Sequence, residues 1–318
     1  MMPEWLEAIG LWEIAALILI LLPLLLWALS WRKPEDTESK RATPTPATAG
    51  PANRPPCGAG DYYAADPATL RHDVQRYAPE QADKVTALGC LVPHDSHNFS
   101  GHVAGAVYGR LQLPQRYLML CPNHTGTGQR MAMMSEGTWE TPLGRARIDR
   151  ELASELGGWF RMLREDEEAH RHEYGIEVQL PFLQVLQPEF TFVPISVSVG
   201  QYEPLVELGE ALAKVVSKRM HEVLIVASSN MNHYEADTLT RWKDEKLLES
   251  ILALDARGLF EGIRKYDVNM CGFASVVVLL TAARWLGAHS AELVRYATTG
   301  DITDSKHTVI GYAGVIVR

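Results

Sequence analysis

The chain has 318 residues, with 30 Lys and Arg against 39 Asp and Glu for a formal net charge of -9. That balance lacks the basic face of a nucleic-acid binder, so no nucleic-acid partner is expected. An apolar fraction of 47% supports a sizeable core, and four cysteines at 57, 90, 121 and 271 are too scattered for a disulfide framework and fit a reducing compartment.

From the N-terminus, the first legible element is Ile14 to Trp31, 18 residues without a charge. As a helix it would span roughly 27 Å, close to a bilayer core of about 30 Å. Trp5, Trp12, Trp27 and Trp31 flank or end it, as interfacial aromatics do. No Lys or Arg precedes the run, and the A-x-A-like site Ala47-Thr48-Ala49 lies far downstream, so a transmembrane helix is expected rather than a cleaved signal peptide. Glu4, Glu7 and Glu13 precede it; Arg32, Lys33, Lys40 and Arg41 follow. The positive-inside rule then makes this a single-pass membrane protein with its soluble part in the cytoplasm. The expected organisation is an anchor at 1–33, a Pro/Thr/Ala-rich flexible linker at 34–56 and one α/β domain at 57–318.

In that domain, short β-branched or apolar runs predict strands at 87–93, 116–122, 190–197, 222–228, 292–297 and 309–317. Helical spacing predicts helices over 66–77, 101–111, 149–157, 174–187, 203–219, 239–264 and 271–286. The alternation implies a mostly parallel central sheet with helices on both faces. His94, His124 and His233 each follow a predicted strand, where α/β proteins build their sites. Cys271 opens an apolar helix, where a thiol is readily a thiolate. Imidazole and thiolate suit iron, copper or zinc, so a metal pocket is expected. Read alone, each His is a hydrogen-bonded structural residue, and Cys271 a small buried one. The segment His170-Arg171-His172-Glu173 reads either as part of the pocket or as a solvated turn before a helix. Asp301 in Thr299-Gly300-Asp301 reads as a cap or turn residue, and Thr141-Pro142-Leu143-Gly144 as turn chemistry.

Taken together, these residues resemble the Memo-like family, also called AmmeMemoRadiSam system protein B. The likeness begins at Ala59-Gly60-Asp61-Tyr62-Tyr63-Ala64-Ala65-Asp66-Pro67. It runs through Pro93-His94, Pro122-Asn123-His124-Thr125, Thr141-Pro142-Leu143-Gly144 and Ala169-His170-Arg171 to its most specific stretch, Ile176-Glu177-Val178-Gln179-Leu180-Pro181-Phe182-Leu183-Gln184. Ser228-Ser229, His233-Tyr234, Cys271-Gly272, Gly300-Asp301 and Gly311-Tyr312-Ala313 complete it. The resemblance implies a fold similar to the class III extradiol dioxygenases, which hold non-haem iron. It also implies a two-histidine, one-cysteine metal site of His94, His124 and Cys271 with His233 beside it. Copper- or iron-dependent oxidation and, in animals, signalling at phosphotyrosine peptides are associated with the family.

The chain departs from the pattern near this site. The family's PHAGxxYSG reads Pro93-His94-Asp95-Ser96-His97-Asn98-Phe99-Ser100-Gly101, its SSDFSH reads Ser228-Ser229-Asn230-Met231-Asn232-His233, and its EHS reads Glu173-Tyr174-Gly175. A carboxylate that would orient a ligand imidazole or act as a base is lost at Asn230. Two readings stay open. In one, Asp95 supplies the lost charge, His97 replaces the lost imidazole, and a metal-dependent oxidoreductase survives with His233 and Asp95 as its acid/base groups. In the other, the domain is a non-catalytic module that holds a metal or binds a small molecule or peptide at the membrane.

Overall fold

The structure is a computed structural model and describes residues 52–79 and 81–318. The apolar stretch Ile14 to Trp31 and residues 34–51 of the expected linker lie outside the described residues. Among the described residues, no helix is long and apolar enough to cross a membrane.

Twelve strands follow in chain order among the described residues: β1 (Asn53–Arg54), β2 (Gly89–Val92), β3 (Arg116–Cys121), β4 (Met131–Met133), β5 (Thr138–Thr141), β6 (Gly144–Ile148), β7 (Arg164–Glu165), β8 (Thr191–Val197), β9 (Val223–Ser228), β10 (His233–Glu235), β11 (Ala291–Thr298) and β12 (Val309–Val317). Their spatial order is β1-β5-β6-β8-β3-β9-β2-β12-β10, with β11 along β12, and β4 joining β8 to β7. The middle, β6-β8-β3-β9-β2, is parallel. At the margins, β5 and β6 run antiparallel, as do β12 and its neighbours β2, β10 and β11. The sheet is therefore mixed, not parallel throughout. Thr141-Pro142-Leu143-Gly144 closes β5 onto β6, with Gly144 at φ 120°, a conformation that favours glycine.

Both faces of the centre are covered, so its strands are apolar without a break. Alternation still divides each strand between two cores. Leu118, Leu120, Ile225 and Ala227 face the layer of helices Arg150–Trp159, Tyr202–Val216, Asp237–Leu252, Ala256–Lys265 and Phe273–Trp285. Tyr117, Met119, Cys121, Leu224 and Val226 face helices Pro67–Tyr77, His97–Arg110 and Leu180–Leu186. Cys90 and Cys121 are buried free thiols of this second core. The helix expected over 239–264 is two helices, because Leu254 adopts φ 57° and Asp255 caps the next one by accepting from Gly258 N at 2.8 Å.

The folded unit starts earlier than composition suggests. β1 pairs with β5, and Arg54, assigned to the linker, is buried over the Trp139 ring, 4.0 Å from its centroid. Its guanidinium donates to His170 O at 2.6 Å and Glu173 O at 2.8 Å and pairs with the buried Glu177. Burial raises the Glu177 carboxyl, but Arg54 and the hydrogen bonds from Tyr63 and Cys57 N outweigh it and hold it below the usual carboxylate range. Removing one partner of a buried pair strands the other charge, at a cost of about 3–5 kcal/mol. Arg54→Met should lower unfolding stability by about that much in denaturant titration, and adding Glu177→Gln should recover part of the loss instead of deepening it.

Candidate metal centre

Strand register delivers the two histidines to one place. Leu91 and Leu120 both pair with Ala227, so β2, β9 and β3 end nearly level. His94 follows β2 after one proline. His124 follows β3 after Pro122-Asn123, in a loop where Asn123 accepts from Gly126 N at 2.9 Å and donates to Thr127 O at 2.7 Å. Cys271 arrives just before the helix Phe273–Trp285. A Cβ on Gly272 would stand 2.6 Å from Ser228 O, so only glycine lets that helix begin against the end of β9. The donor atoms of His94, His124 and Cys271 all lie within 4.8 Å of one another. Cys271 Sγ is 3.2 Å from His94 Nε2, and the two imidazoles are 5.0 Å apart at 84°.

Each imidazole is held by its other nitrogen. Ser228 Oγ donates to Gly175 O at 2.6 Å, so it accepts from His94 Nδ1 at 3.0 Å. Glu173 takes His124 Nδ1 at 2.9 Å with one oxygen and His124 N at 2.7 Å with the other. Both networks put the proton on Nδ1 and turn Nε2 toward the sulfur, the arrangement metal-ligating histidines use. Burial disfavours the Cys271 thiolate, but the His94 charge and hydrogen bonds from His124, His233 and His94 overcome it and pull the thiol well below its usual value. Burial likewise disfavours the His124 imidazolium, but Cys271 and Glu173 outweigh it and raise its pKa to about 10. Without an ion the cluster is a thiolate among imidazoles, held by protons that a metal would displace. One soft and two borderline donors in reach of a common point fit iron, copper or zinc.

The other expected residues fall in different places. His233 lies beside the cluster: its Nδ1 donates to Asn269 O at 2.7 Å, and although burial disfavours its charged form, the Cys271 sulfur raises its pKa. Asp95 is outside the three-donor set and accepts from the Tyr312 hydroxyl and from Ser96 N. His97 does not replace the missing imidazole. It opens the helix His97–Arg110, donates to Val178 O at 2.8 Å and packs against Tyr63, Tyr77 and Phe182, where burial pushes its pKa down to about 4. The lost position is filled by Tyr174 itself, stacked on His124 at 5.0 Å and 7° and on Tyr62 at 3.9 Å. Asn230 accepts from His94 N at 2.9 Å. His170 is buried against Trp139 with neither ring nitrogen bonded, and His172 is exposed; neither joins the donor set. Asp301 is neither cap nor turn residue but lies in the short helix Gly300–Thr303, tied to Thr298 N, Arg241 and Lys306. Glu173, in a segment that reads either as part of the pocket or as a solvated turn, is fully buried and fixes His124.

This sheet, its two helical layers and a His/His/Cys cluster past the strand ends define an α/β domain of Memo-like type. The chain belongs to the Memo family: residues 54–316 match the family described as Memo-like protein. A MEMO1 family protein of Methanopyrus kandleri is 37% identical over 279 residues, covering 83% of this chain and 99% of its own length. One of Methanosarcina barkeri is 36% identical over 267 residues, covering 83% and 100%. An uncharacterized Escherichia coli K12 protein has a similar fold, with a TM-score of 0.50 at 16% identity, over 72% of this chain and 98% of its own.

The start of β10, which carries His233, is anchored through a buried acid. Asp244 accepts from Asn232 N at 2.8 Å and from Tyr296 OH at 2.6 Å, Asn232 Oδ1 accepts from Asn269 N at 2.9 Å, and Asn269 O holds His233. Burial raises the Asp244 carboxyl to about 6 against these hydrogen bonds. The native state then holds this proton more tightly than the unfolded chain. The resulting stability is complete below about pH 4 and is lost as pH rises through 6. Wild-type protein should therefore lose roughly 2–3 kcal/mol more than Asp244→Asn between pH 4 and 7 in denaturant titrations.

Proposed function

We propose that this Memo-family domain holds one iron or copper ion between His94, His124 and Cys271 and serves as a metal-dependent oxidoreductase for a small molecule or peptide. The reading is carried by one observation: two imidazoles from different strand ends, each fixed through Nδ1, converge on one sulfur within 4.8 Å. When bound, such an ion supplies Lewis-acid or redox chemistry. The chain's own part is to bind, orient and move protons. His233, backed by Asn269 O, stands beside the sulfur as the acid/base group. Asp95, held by Tyr312 and Ser96 N, is the second such group. Tyr174 and Tyr62 supply an aromatic wall.

Elemental analysis of protein purified without added metal tests this directly. One equivalent of iron or copper is expected, lost in His94→Ala, His124→Ala and Cys271→Ser. Glu173→Gln should weaken binding roughly 10–100-fold, as for other partners of ligating histidines. Asp95→Asn and His233→Ala should keep the metal and lose oxygen uptake on catechol-like substrates. No metal in the wild-type protein would overturn the reading. The non-catalytic alternative is favoured by Asn230, whose amide holds the His94 backbone and offers no base; stoichiometric metal without turnover would select it.

The reading includes a membrane anchor at Ile14 to Trp31 with the domain on the cytoplasmic side, supported by that run and the flanking charges. The full chain should stay with membranes through an alkaline carbonate wash, and the domain should be protected from protease in sealed cells. Release by carbonate would remove the anchor from the proposal.

A further inference from the structure

The metal centre lies beyond the ends of β2, β3 and β9. At the other end, where β3 and β8 begin and Arg147 of β6 pairs with Thr191, the surface opens into a groove of about 720 Å³. That volume is in the range of small-molecule sites. Strand alternation sets Arg145 and Arg147 on the same outward face of β6, with Ala146 and Ile148 buried beneath. Arg71 comes from the helix Pro67–Tyr77. Leu143, Pro188 and Phe190 supply an apolar wall. A second hollow of about 410 Å³ shares Arg147 and continues past Arg116 and Arg150.

The arginines differ in what they already hold. Arg116 is taken by Asp149 and Glu151, Arg145 by Glu140 and Arg150 by Glu136. Arg71 and Arg147 are exposed and form no ion pair among the described residues. Glu189 also lines the groove and pairs with neither. The polar neutral groups are occupied: Thr138 donates to Asn53 and Gln184 to Gly144 O. Two free guanidiniums, supported by a third, therefore face an apolar wall in a protein whose net charge is -9.

We propose that this groove is a second binding site, for a phosphomonoester carried on an apolar body. A phosphomonoester near pH 7 carries close to two negative charges, which matches the two unpaired guanidiniums. Planar guanidinium forks bind phosphate oxygens two at a time. The wall of Leu143, Pro188 and Phe190 takes the organic part. The ester is the headgroup of an anionic lipid or a soluble phosphorylated metabolite; both present the same chemistry to Arg71 and Arg147.

Calorimetry on the full chain in neutral detergent, with phenyl phosphate as the probe, tests the site. Saturable binding is expected, weakened about tenfold or more in Arg71→Gln and in Arg147→Gln, each a loss of charge-assisted bonds. Arg264→Gln, an exposed arginine on another helix, should leave it unchanged, and metal content should not move in any variant. Inorganic phosphate should bind more weakly than phenyl phosphate. No saturation, equal loss in Arg264→Gln, or equal affinity for inorganic phosphate would each overturn the proposal. Phosphatidic acid doped into the micelles and isopentenyl phosphate, a soluble monoester with an apolar body, are then tried as competitors. Displacement by the first supports the site with a lipid source, and displacement by the second supports it with a soluble one. Displacement by neither overturns it.

Discussion

Parallel strands that pair in register leave the sheet at nearly the same height, and the chemistry of this domain depends on that alignment. β2 and β3 flank β9, so their backbones stand about 10 Å apart. A residue just past each end can lean over β9 and close the distance, and His94 and His124 do so with rings 5.0 Å apart. A slip of one residue in either pairing would turn the following loop to the other face. β9 contributes from beneath: Ser228 orients one imidazole, and Ser229 receives the helix that brings Cys271.

Geometry alone would leave the rings free to turn. The segment from His170 to Gln179 removes that freedom. Glu173 clamps His124, Gly175 O fixes the Ser228 hydroxyl, and Gln179 bonds Pro93 O next to His94. The segment is in turn held by Arg54 through two carbonyls and through Glu177. Donors, partners of donors and the residue that holds those partners come from six separated stretches of chain.

The six strands expected from apolar runs all appear; burial on both faces leaves β2, β3, β8, β9 and β12 a continuous apolar signature, whereas β11 is half-exposed beside β12 and carries Glu292 and Arg295. The hairpin of β5 and β6 was legible only as a turn: Thr138–Thr141 and Gly144–Ile148 alternate buried and exposed residues, but they are short and polar enough to pass for loop. Leu254 and Asp255 divide one expected helix into two, and a capping aspartate three residues before Gly258 was the available sign. His94, His124 and Cys271 were legible as donors from their position after strands and from the family likeness. Glu173 was not, since a glutamate ahead of a helix looks like an ordinary partner of the helix dipole. His97 misled for the opposite reason. Its type and position suggested a ligand, and only packing against Tyr63 and Phe182 shows that it turns into the core.

Arg54 also links mechanics to chemistry. It sits at the leading edge of the folded unit, in a strand of two residues, and its guanidinium grips the carbonyls of His170 and Glu173. Tension applied to the residues before it would load the pairing of β1 with β5 and, through Arg54, those two bonds. Glu173 carries that load on its carbonyl and His124 on its carboxylate, so strain entering from the N-terminal side reaches an imidazole of the cluster through a single residue.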